Sequence, residues 1–287
     1  MAHYETPFLP GPDQTPARPH KWPLAGVMAI DFVIAMIGFV VLTLLVQISI
    51  VGLRVAQQGL SLSQLRDRLG DPSEALRLIG ADGLFATLLA TNAVFVLIPI
   101  IRVKLLRREP LSEIGFRAPQ PLKLIGIGVG VGFVSLVVNT VVGSLFEQYG
   151  IVPDQAAKFP LFQGDYLGQA LFLLGAAVLA PVGEEVLFRG YVFNAIRQSF
   201  ESRGWGIPLA YAVSALLFAG VHSFEVSQGL FGLLVPLFFI GLLLAWAMHY
   251  TQSLIPGIIA HAINNGVALI ALLTCINTPG LTGCPKL

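Results

Sequence analysis

Seven apolar runs divide the chain, near 24 to 52, 82 to 102, 122 to 146, 167 to 198, 207 to 223, 229 to 250 and 254 to 275. Each is about the length, roughly 17 residues or more, that carries a helix across some 30 Å of hydrocarbon. The pattern predicts an all-α, polytopic membrane helical bundle with about seven transmembrane helices. One polar stretch does not fit a simple loop. Residues 61 to 79, "SLSQLRDRLGDPSEALRLI", mix charge with periodic leucine and predict an amphipathic helix lying at the membrane interface. Residues 1 to 22 are rich in proline and lack an apolar core, which predicts a disordered tail rather than a signal peptide.

Composition agrees with the pattern: 55% of the 287 residues are hydrophobic and 11% charged, against about 25% charged in an ordinary soluble domain. A net charge of +1 and dispersed basic residues exclude a phosphate-reading face, so no nucleic-acid partner is expected. Positive charge gathers in "RVKLLRRE" (102 to 109), at Arg117 and Lys123, and again at Arg197 and Arg203. The positive-inside rule therefore puts the N-terminus in the cytoplasm and the C-terminus outside, in what we expect to be a bacterial cytoplasmic (inner) membrane. Arg66, Arg68 and Arg77 lie on the opposite side and run against the rule.

Other features are uninformative about chemistry. Cys275 and Cys284 flank a Pro-Gly turn without metal-ligand spacing, and sequence leaves open whether they are bonded or free. The terminal "CPKL" has cysteine in fourth place but lacks the aliphatic pair of a prenylation box. The alternate glycines of "GIGVGVG" (126 to 132) predict close helix packing. Asp31, Asn92 and Asn139 read as packing or cavity-lining groups, and His249 beside Tyr250 as interfacial.

The fourth run is different, because "LAPVGEEVLFRG" (179 to 190) puts two carboxylates and a guanidinium inside it. Glu185 and Arg189, at i and i+4, can neutralise each other along one face. Neighbouring helical positions point about 100° apart, so Glu184 is expected to face a different partner from Glu185. A membrane-buried carboxylate without a counter-ion is costly enough to suggest function. His222 in the fifth run lies about as far from the intervening loop as Glu184 does, so the two should meet at one depth. The seventh run brings His261 and, one turn later, Asn264 and Asn265. Pro181 is expected to leave the carbonyl of Ala177 unpaired and to kink the helix beside Glu184. A glutamate base, a histidine partner, and a second histidine with an amide to stabilise an oxyanion make a water-activating hydrolase. Glu184, His222 and His261 could alternatively ligate zinc, although no HExxH occurs.

These residues resemble a family. "GEEVLFRG" is similar to the EExxxR motif, "FAGVH" to FxxxH and "HAINN" to HxxxN of the CPBP (CAAX protease and bacteriocin-processing) intramembrane proteases, which include type II prenyl endopeptidases. The resemblance implies an endopeptidase core over 120 to 275, preceded by membrane helices and loops (23 to 119) and followed by a tail (276 to 287). It implies Glu184 as water-activating base, His222 as its partner, His261 and Asn265 as oxyanion stabilisers, and Glu185 with Arg189 as a supporting ion pair. The expected partners are the bilayer and a membrane-associated or prenylated peptide or protein substrate. No cofactor is favoured. The alternatives are the zinc-dependent version, a non-catalytic scaffold or immunity protein on the same fold, and a proton-coupled transporter using the buried Glu and His as a relay.

Overall fold

The computed structural model describes residues 24 to 282 and residue 284; the expected N-terminal tail lies outside them. The helices are α1 (Leu24–Gln58), α2 (Leu62–Gly70), α3 (Pro72–Leu106), α4 (Pro121–Gln148), α5 (Tyr166–Ser199), α6 (Gly206–Glu225), α7 (Leu230–Thr251) and α8 (Ile255–Asn277). All except α2 are long and apolar enough to cross a membrane, and among the described residues there is no strand. The chain is an all-α multi-pass membrane protein. In hydrocarbon every backbone N–H and C=O must be satisfied within the protein, and helices do this locally.

The amphipathic segment 61 to 79 is not one helix, which corrects the sequence expectation. Ser61 starts α2 with a capping box shared with Gln64, and Asp71 closes it by donating its N–H to Arg68 O. The Asp71 carboxylate then accepts from the Ser73 and Glu74 amides, and Pro72 fills the first position of α3. Residues 72 to 79 are therefore the first turns of a spanning helix, bent at Gly80 (φ 69°). Two arginines on this side are paired, Arg54 with Asp82 at 2.5 Å and Arg77 with Glu74 at 3.5 Å.

Helix α4 packs along α7 and α8, α1 along α3, and α6 along α7. Only two of the four alternate glycines serve that packing. A Cβ on Gly128 would lie 3.0 Å from Pro256 Cα, and one on Gly132 would lie 3.0 Å from Ile263, whereas Gly126 and Gly130 meet nothing within 4 Å. Helix α5 sits at the centre, with every residue from 185 to 196 buried. Near its basic-loop end Asp31 of α1 is gripped by Arg102 of α3 (two contacts of 2.6 Å) and by the Tyr191 hydroxyl of α5 at 2.5 Å. Asp31 is thus the centre of a triad, one ion pair and one neutral hydroxyl donor, rather than a lone packing group. At the opposite end Cys275 and Cys284 form a disulfide.

Candidate active site

The site is built on an irregular stretch of α5. Two segments, Gly175–Leu179 and Glu185–Phe193, are wound as π-helix on either side of Pro181. Such widening is common at functional positions, and sequence periodicity has no signal for it beyond the proline itself. The wide turns still allow Arg189 Nη1 to reach Glu185 Oε1 at 2.9 Å, and both side chains are fully enclosed. Arg189 also donates to Gly241 O and lies over the Phe218 ring, 4.0 Å from its centroid. A buried guanidinium is tolerable only with this much compensation.

Glu184 points to the other two motifs. Its Oε2 lies 3.7 Å from His261 Nε2 on α8 and 4.0 Å from His222 Nε2 on α6. The expected separation of the two glutamates holds only in part, since His261 touches both. Its Nδ1 is 3.1 Å from Glu185 Oε1 while its Nε2 faces Glu184. An imidazole carries nitrogens on two edges, so one ring set against the helix can reach residues that point 100° apart.

These contacts fix the tautomers. His222 Nδ1 lies 2.7 Å from the Phe218 carbonyl, which can only accept, so this nitrogen carries the hydrogen. Glu185, held by Arg189, accepts in the same way from His261 Nδ1. With both imidazoles neutral, the Nε2 atoms present lone pairs toward Glu184, whose Oε2 is itself buried and receives no hydrogen bond within the protein. In that state three acceptors converge with no donor among them, and a water molecule can give its two hydrogens to two of the three.

A metal ion would also meet lone pairs, but among the described residues no group of three His, Cys, Asp or Glu side chains is arranged to hold one. Asn265 is engaged within the protein. Its Nδ2 donates to the Ala176 carbonyl at 3.0 Å, and its Oδ1 lies 3.4 Å from Asn264 Nδ2. One group went unnoticed in the sequence: Glu225, three residues after His222, accepts from Gln155 of the loop between α4 and α5. Its signal was the i, i+3 spacing in "HSFE".

Residues 166–267 match the family described as Rce1-like, type II CAAX prenyl endopeptidase Rce1-like. This region is similar to that family. It contains all three motifs and every residue discussed at the site except Glu225's partner Gln155. UPF0177 protein YxdF of Lactococcus lactis subsp. lactis (strain IL1403) is 28% identical over 159 residues, covering 53% of this chain and 80% of that protein. No solved structure matches the chain.

Proposed function

We propose that the protein is an endopeptidase that hydrolyses a peptide bond of a membrane-associated substrate with water activated by Glu184. The observation that carries this reading is the convergence of Glu184 Oε2, His222 Nε2 and His261 Nε2, with the Glu184 oxygen lacking any protein donor. Water bound there gives one hydrogen to Glu184 and the other to His222. As its oxygen attacks the scissile carbonyl carbon, the proton moves to Glu184 Oε2, and the carbonyl π electrons pass to oxygen. Collapse of the tetrahedral intermediate breaks the C–N bond while Glu184 returns the proton to the departing amine. His261 is held by Glu185 on one edge, so its free edge faces the reacting atoms in one orientation. Charge gathers at the basic-loop end, so we place the N-terminus in the cytoplasm of a bacterial cell, with the disulfide on the outer side.

The test is cleavage of a membrane-anchored peptide, prenylated or not, by protein reconstituted in liposomes. Glu184→Gln keeps the shape and removes the base, and the rate should fall by about 10³-fold or more. Retained cleavage would sink the assignment. Selective cleavage of the prenylated peptide would define the substrate class.

A further inference from the structure

The break in α5 beside Glu184 leaves one carbonyl with no possible partner in its own helix. Ala176 O can be reached by the N–H of residue 180 in α register or of residue 181 in π register. The N–H of Ala180 goes to Gly175 O, and residue 181 is proline, which has no N–H. Ala176 O is therefore left without a donor from its own helix. Asn265 of α8 fills the gap with its 3.0 Å bond to Ala176 O, and Gly266 beside it leaves α8 in contact range of Ala177. Other close contacts hold the same stretch. A Cβ on Gly175 would lie 2.8 Å from Leu88 of α3, and one on Gly183 would lie 2.1 Å from Asn92 Oδ1.

We infer that Asn265 is a positioning residue: its side-chain amide replaces the N–H that Pro181 lacks, and so fixes the bend that aims Glu184 at His222 and His261. The role rests on the protease reading for its activity readout but not for its structural one. Asn265 lies one turn beyond His261 on the same helix, so the bond also ties the helix bearing His261 to the helix bearing Glu184.

A double-mutant cycle decides it. Pro181→Ala restores an N–H that can reach Ala176 O. Asn265→Ala should lower kcat at least about tenfold in the native background, with KM little changed, since an unsatisfied buried carbonyl is costly. In the Pro181→Ala background the same substitution should cost less than about threefold. The thermal midpoint in detergent should follow the same cycle, with most of the loss on Asn265→Ala recovered in the double variant. An equal loss of kcat in both backgrounds would overturn the inference and return Asn265 to direct oxyanion stabilisation. If wild type and Glu184→Gln cleave equally or not at all, the protease reading fails, and the thermal cycle alone still upholds or overturns the bond's role.

Discussion

Two charged clusters are buried in this bundle, and they are satisfied to different degrees. Around Asp31 the accounting closes: both carboxylate oxygens are held at 2.6 Å by Arg102, and Tyr191 adds a 2.5 Å bond. Around Glu184 it does not, because the histidine nitrogens lie 3.7 and 4.0 Å from its Oε2, which receives no hydrogen bond. The same helix, α5, contributes to both, Glu184 to one and Tyr191 to the other, two turns apart. A saturated cluster joins helices; an unsaturated one holds its carboxylate ready for a molecule that brings hydrogens. Glu185 and Arg189 lie between the two and have features of each.

The difference predicts opposite responses to neutralisation. Glu184→Gln should lose about 10³-fold or more in cleavage, yet unfold at the same temperature or higher, because no protein donor is lost and an unpaired carboxylate is removed. A clear fall in the thermal midpoint would show that the open cluster is structural after all. Glu185→Gln should damage both properties. It leaves Arg189, fully enclosed, without its counter-charge at a cost of about 3–5 kcal/mol, and it loosens His261. Activity lost without stability would mean that Arg189 finds compensation from Gly241 O and Phe218 alone.

Asp31→Ala should cost about 3 kcal/mol, the low end for breaking a buried pair, since the Arg102 side chain remains 27% exposed. Activity per folded molecule should change by no more than a few-fold. Denaturation in detergent measures the first, and cleavage normalised to folded protein the second. A loss in kcat as deep as that of Glu185→Gln would mean that the two clusters are coupled along α5.

Much of this is legible in the sequence. Apolar length alone places the seven spans to within a few residues at most ends, because the hydrocarbon layer sets a minimum apolar length for each of them. The largest miss, the start of α3 at Pro72 rather than near 82, came from Asp71 and Gly80. A polar cap and one left-handed glycine turned an interfacial-looking segment into the end of a span. The motif spacing likewise brings Glu184, His222 and His261 together. It does not foresee that His261 bridges both glutamates or that Asn265 serves a backbone carbonyl. Both lie at the π-wound stretches on either side of Pro181, which pack against α3, α6 and α8, and contacts of that range leave no periodic signal. The Asp31 triad was hidden for a related reason: its three members lie 71 and 160 positions apart, beyond the reach of any periodicity.

The smallest effect is expected at the rim of the open cluster, where the loop after α4 is fastened to the turn between α6 and α7. Asp154 accepts from the amides of Ser227 and Gln228 at 2.7 and 3.1 Å, and its neighbour Gln155 donates to Glu225, one short turn from His222. Those two amides, Gln228 first, hold the Asp154 carboxyl below its ordinary value of 3.8. A depressed folded value means that the clamp is at full strength above 3.8 and weakens as pH falls through the lower value of the folded state. Exchange of the Ser227 and Gln228 amides, corrected for intrinsic rates, should therefore be slower in wild type than in Asp154→Ala at pH 6. The gap should close on acidification below that range. Gly229→Ala provides the contrast. At φ 70° its Cβ would lie 2.2 Å from Val152 O, so it should loosen the same clamp by shape, equally at every pH. If both variants lose protection with the same pH profile, the fastening is steric and the carboxylate at Asp154 contributes nothing to it.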